Sequence, residues 1–181
     1  MQPSLPTVST PDWQPTLKGA RVELRPTRPE DFDAMHAAAS DPLIWEQHSE
    51  RNRHERAVFK RFFAGVMECG GGLTVIDPAT GTVIGSSRYY DWDPTDGSVV
   101  IGYTFLRRDH WGTGTNREMK ALMLAHAFRW ARTVWFHVSK DNTRSRRAVE
   151  KLGATLDREA SVPVGGVPAL RCIYRIDRPT A

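Results

Sequence analysis

Residues 99–116 set the tightest limit on what this chain folds into. Val99-Val100-Ile101-Gly102-Tyr103-Thr104-Phe105-Leu106 is an apolar run of strand length. It leads into Asp109-His110-Trp111-Gly112-Thr113-Gly114-Thr115-Asn116, and residues 117–130 then read as a helix. A strand, a small-residue loop and a helix N-terminus together make a site for anions. The first helical turn leaves backbone N–H groups unpaired, and its dipole end is positive. Glycine lets that backbone approach a phosphate oxygen with no Cβ in the way. The loop is therefore expected to hold a phosphate-bearing ligand on the backbone of Gly112, Thr113, Gly114 and Thr115, with Thr115 and Asn116 adding side-chain donors.

The remaining elements follow from periodicity and punctuation. Residues 20–25 alternate as a first strand, which Pro26 ends. Arg28-Pro29-Glu30-Asp31 opens a helix, with proline and acids in the turn that suits them. Residues 50–68 read as a longer helix whose stripe is Val58, Phe59, Phe62, Phe63 and Val66. Strands are expected at 73–76, 83–90 and 98–106, parted by turns at 77–82 and 93–97. Another strand spans 133–138, and Asn142 caps a short helix that Gly153 stops. Two terminal strands, 154–161 and 167–176, meet across Val164-Gly165-Gly166. No internal repeat and no second domain are visible.

Bulk properties narrow the partners. At 181 residues the chain suffices for one domain with a full core. Its net charge of +4 favours acidic ligands, yet the arginines are not aligned with aromatics on one face, so a nucleic-acid partner is not expected. Residues 1–16 hold Pro3, Pro6, Pro11 and Pro15 among Ser and Thr, without a signal peptide's basic and apolar regions. They read as a flexible or loosely draped arm. No apolar run approaches the roughly 20 residues of a membrane helix. Cys69 and Cys172 lack metal spacing and read as reduced core thiols, which suggests a cytoplasmic protein.

This order of elements, with its glycine loop and the helix Asn142-Thr143-Arg144-Ser145-Arg146-Arg147-Ala148-Val149-Glu150-Lys151-Leu152-Gly153, resembles the GNAT superfamily of acyl-CoA N-acyltransferases. The loop matches the family's small positions at Gly112 and Gly114, while Asp109 stands where Gln or Arg is usual. The second motif matches at Asn142, Ser145, Ala148, Glu150, Lys151, Leu152 and Gly153, with Val149 in place of a frequent Tyr. Residues 17–26 and Ile101-Gly102-Tyr103 are similar to the RimJ/RimL branch, which acetylates protein N-termini. The resemblance spans residues 17–178 as a single domain. It implies an α+β, three-layer fold: a mixed, mostly antiparallel twisted sheet of about seven strands flanked by about four helices.

The implied reaction is direct transfer of an acetyl group from acetyl-CoA, the cosubstrate, to an amine on a peptide N-terminus or small molecule, with no metal. A family-type splayed strand would leave backbone groups of Phe105, Leu106 and Arg107 free for the pantetheine arm and an oxyanion. Ser145 is the nearest substitute for the missing Tyr at the leaving sulfur; its plain alternative is a small residue where helix meets cofactor. Asn142 is a cap, a cofactor contact or both. His137 is a candidate base or a structural strand histidine. Arg147, in a cluster with Arg144 and Arg146, is solvated surface or a contact for the CoA 3′-phosphate. Trp111 covers the ligand or packs on the helix, and His126 and Glu118 read as structural. Glu46, Glu50 and Glu55 hint at a cationic acceptor or form a solvated face. A homodimer through the terminal strands stays open. So does a different class of function, a catalytically silent CoA-binding or partner-binding module on the same scaffold.

Overall fold

A computed structural model describes residues 10–164 and 167–180. The expected turn at residues 165 and 166, and residues 1–9 of the expected arm, lie outside the described residues. The elements are β1 (Leu17–Lys18), β2 (Glu23–Pro26), α1 (Phe32–Ala39), α2 (Arg56–Glu68), β3 (Gly72–Asp77), β4 (Thr82–Asp93), β5 (Ser98–Leu106), α3 (Thr115–Ala127), β6 (Thr133–Ser139), α4 (Thr143–Glu150), β7 (Thr155–Val164) and β8 (Val167–Asp177). One eight-stranded sheet runs β1-β2-β3-β4-β5-β6-β8-β7. Every pairing is antiparallel except β5 with β6. This is the α+β layout the sequence implies, with one more strand. The addition is β1, split from the expected first strand by a turn in which the Gly19 N–H donates to the Val22 carbonyl at 2.8 Å.

Helices cover both faces. α1 and α2 bury Met35, Ala39, Phe59, Phe62, Phe63 and Val66 in one core, which also holds Phe105 of β5. The other core joins Met119, Met123 and Ala127 of α3 and Val149 of α4 to Leu24, Leu73, Ile101 and Phe136 of the sheet. Alternation along β6 sends Val134, Phe136 and Val138 into this second core, while Trp135, His137 and Ser139 are less buried.

Two of the helices depart from their expected bounds. The second helix begins at Arg56 rather than at residue 50. Arg53 leaves the helical path because its guanidinium sits 5.1 Å from the Trp45 ring centre and 4.9 Å from that of Phe62, with Glu50 as counterion at 2.9 Å. The third helix starts two residues early, at Thr115, and ends at Ala127. The described part of the N-terminal segment is anchored: the Trp13 ring packs, tilted, with its centre 5.2 Å from those of both Tyr89 and Trp92. His126 is the buried, satisfied histidine the sequence suggested, with Nε2 2.6 Å from the Asp12 carbonyl oxygen. Cys172 is buried, Cys69 is half-buried, and both are free thiols. Among the described residues no helix is long and apolar enough to cross a membrane.

Candidate active site

The sheet opens where β5 and β6 part. Their parallel pairing covers only Ser98 with Thr133, Val99 with Val134 and Val100 with Trp135. Beyond that point the strands diverge, and a cavity of about 1000 Å³ passes through the gap. A bulge in β5 helps the divergence. Against β4 the register slips between Ser86–Phe105 and Arg88–Gly102. Tyr103 lies in the inserted stretch, with a left-handed φ of 51° that is unusual for a non-glycine residue.

At one end of the cavity lies the glycine loop. Gly112 has φ 73° and Gly114 φ 89°. A side chain at Gly112 would meet nothing within 4 Å, so the space over the loop is open. The Glu118 N–H begins the helical ladder on the Gly114 carbonyl. Among the described residues nothing accepts from the N–H groups of Asn116 or Arg117, so a helix N-terminus with free donors borders the cavity. Asp109 turns away, its carboxylate 2.6 Å from Arg107.

Three of the expected contacts lie outside the cavity lining. Thr113 and Thr115 do not line the cavity: their hydroxyls bond each other at 2.8 Å, and Thr113 also donates to the His110 carbonyl. Arg107 is outside the lining too, because its N–H is spent on the Ile84 carbonyl at 2.8 Å. Alternation then turns the backbone of Phe105 toward β4 and leaves that of Leu106 on the open side. The Leu106 carbonyl accepts the Trp111 indole N–H at 2.9 Å, so its own N–H is the group left for a ligand. Trp111 packs more than it covers, with Arg144 stacked 4.1 Å from its ring centre. Phe105, Leu106, Trp111, Gly112, Gly114, Asn116, His137, Asn142, Ser145 and Arg147 all line the cavity.

Asn142 is a true N-cap, its Oδ1 accepting the Ser145 N–H at 3.0 Å. Its Nδ2 donates to no described residue. The Ser145 hydroxyl likewise has no described partner and borders the cavity. Val149, where the resemblance expects a phenol, presents an apolar wall. Glu118 accepts the N–H groups of Ala20 and Arg21 at 2.9 and 2.8 Å, so its carboxylate pins the β1–β2 turn.

Some lining residues were not picked out from sequence. Lys120 is buried, its Nζ bonding Ser87 Oγ at 3.0 Å and Thr104 Oγ1 at 2.5 Å. Burial without a carboxylate beside it pushes its ammonium down to about 7. Lys120 lies about 100° round the helix from Met119, beside the apolar row Met119, Met123 and Ala127, so the stripe alone does not mark it as buried. Tyr90 and Tyr103 meet with ring centres 5.2 Å apart, and Tyr90 lies T-shaped to His137 at 6.3 Å. The Tyr90 hydroxyl would sit 3.1 Å from a Cβ on Gly102, which explains a residue without one there. Burial pushes the Tyr90 phenol up, so it stays protonated. Burial pushes His137 down, against the nearby Asp91 carboxylate, and Arg171 adds to the lowering. His48, half-buried, is pushed down to about 3 by desolvation first and by Arg53, Arg144 and Arg171 after it.

A family model described as an acetyltransferase (GNAT) domain matches residues 21–155. Among solved structures, the chain is similar to a GCN5-related N-acetyltransferase from Brucella melitensis, at TM-score 0.77 and 21% identity, covering 91% of this chain and 79% of that one. It is similar to Mycobacterium smegmatis RimJ in complex with CoA-disulfide at TM-score 0.73 and 20% identity, over 93% and 90% of the two chains. It is also similar to spermidine N-acetyltransferase from Vibrio cholerae in complex with CoA and spermine, at TM-score 0.66 and 15% identity, over 88% and 96%.

Proposed function

This chain belongs to the GNAT acetyltransferase family, and from that premise we propose that it moves an acetyl group directly from acetyl-CoA to a primary amine, on a protein N-terminus or a small molecule. One observation carries the reading. A single cavity runs through the parting of β5 and β6, with free helix N–H donors at one end and a histidine–tyrosine chamber at the other. The residues suit the cosubstrate. The open space over Gly112 and the N–H groups of Asn116 and Arg117 suit a diphosphate. Arg147 borders the cavity on α4, within reach of a further phosphate. The relatedness to RimJ supports the RimJ/RimL-like placement.

Acetyl-CoA supplies the activated acyl carbon. The amine nitrogen bonds to that carbon as the carbon–sulfur bond breaks, and the electron pair leaves with sulfur. His137, held neutral by burial, takes the amine proton directly or through water. The Leu106 N–H, free on the open side of β5, stabilises the oxygen that becomes negative. Ser145 donates a hydrogen bond to the departing thiolate. A thiol of pKa roughly 8.5 leaves without a strong acid, so Val149 in place of a phenol is tolerable. Positioning supplies most of the rate.

The test is release of free thiol from acetyl-CoA across a panel of peptides, amino acids and polyamines. Turnover on at least one acceptor is expected. Binding of acetyl-CoA without turnover on any of them would make the chain a silent module instead.

A further inference from the structure

The chamber beyond the β5–β6 parting is lined by Arg53, which Glu50 answers, and by Arg171, which no acid answers among the described residues. Outside the cavity lining, Arg88 of β4 is buried behind the lining residue Tyr103, 3.4 Å from its ring centre, and donates to the Gly65 carbonyl at 2.5 Å. Arg171 of β8 lines the cavity and reaches only the Ser49 hydroxyl, at 3.4 Å. Among the described residues neither has a carboxylate within ion-pair distance. Arg53 also lines the cavity, its side chain 6% exposed. The acids that hinted at a cationic acceptor stand outside the cavity lining: Glu50 holds Arg53 and Arg61, Glu46 holds Arg144, and Glu55 is the residue that precedes α2. Asp91 is the carboxylate left at the cavity wall. His48 is pushed down chiefly by desolvation, with Arg53, Arg144 and Arg171 adding to the lowering. Unanswered charge in a partly desolvated chamber is costly, and an anion entering it relieves that cost.

Register places this charge close to the chemistry. Ser139 of β6 opposes Arg171 of β8, and His137 lies two residues earlier on the same face. Diagonal neighbours of this kind are roughly 7–8 Å apart, within the span of an arginine side chain and a short acceptor. We propose that the chamber selects acceptor amines bearing a carboxylate near the reacting nitrogen, with Arg171 as the group that binds it and Arg53 reinforcing the field. The proposal rests on the transferase reading above. The carboxylate belongs either to a free amino acid or to an acidic residue at the start of a peptide.

Paired acceptors decide it: free amino acids against their carboxamides, and peptides with Asp or Glu at the second position against the Asn or Gln forms, assayed for kcat/KM and, with CoA present, for binding by calorimetry. The carboxylate member of at least one series should be favoured by about 10- to 100-fold, and which series it is names the source. Arg171→Gln should erase the preference, mainly through KM, and Arg171→Lys should restore part of it, which guards against a merely misfolded variant. Turnover with no preference, or a preference that survives Arg171→Gln, overturns the inference and leaves the transferase reading intact. Arg171-dependent binding of the carboxylate member with no turnover of any acceptor would retain the inference and remove the transferase reading.

Discussion

Ser145 offers its hydroxyl to the cavity with no described partner, and its backbone is already fixed by the Asn142 cap. Ser145→Ala should therefore leave the helix and the affinity for CoA unchanged and slow turnover by about tenfold, the scale of one lost hydrogen bond to a charged atom. Single-turnover rates beside calorimetric affinities check this; an unaltered rate would make Ser145 a spacer. Lys120 makes a separate prediction. Its folded pKa, about 7, lies below that of the unfolded chain because of burial. Between about pH 7 and about pH 10 the unfolded state thus binds more protons, and stability rises with pH across that window. Below about 7 the penalty is fully present. Lys120→Met should flatten the rise, read from urea midpoints at about pH 6 and about pH 9; an unchanged slope would contradict the assignment.

At the scale of elements, what was legible depended on whether the signal was local. The stripe of α2, the loop before α3 and the Asn142 cap need only near neighbours in sequence, and each was readable. The bulge at Tyr103, the chamber arginines and the late start of α2 at Arg56 were not. They depend on strand register and on rings brought in from Trp45 and Phe62. Alternation also decides which of Phe105, Leu106 and Arg107 faces the gap, and a period of two cannot be phased without the partner strand. The seam of α1 with β2 and β3 shows a similar long-range device. Burial pushes Asp31 up, but Arg25 at 2.7 and 2.8 Å, the Arg28 N–H and the Thr74 hydroxyl together hold its carboxyl below the usual range. Its stabilising share is present above the unfolded value and is lost as pH falls through the folded one. Asp31→Asn should cost about 2–3 kcal/mol in denaturant unfolding near neutral pH, and much less in strong acid; an equal cost at both would sink this reading.

Seen whole, the molecule is two cores on either side of one sheet, pierced where β5 and β6 diverge. On the proposed reading, the divergence lets a long cosubstrate pass from the α3 N-terminus to a chamber walled by β4, β5, β6 and β8. Charge is arranged along this path, with free N–H donors at the entrance and arginines at the far end. The central claim, that a diphosphate rests on the turn into α3, is tested most directly by calorimetric titration of CoA into the protein and into Gly114→Glu, with far-ultraviolet circular dichroism and Gly114→Ala to register the strain of a side chain at φ 89°. The account predicts that the glutamate abolishes measurable binding while the alanine variant keeps most of it. Equal affinity for the unsubstituted protein and Gly114→Glu would contradict it.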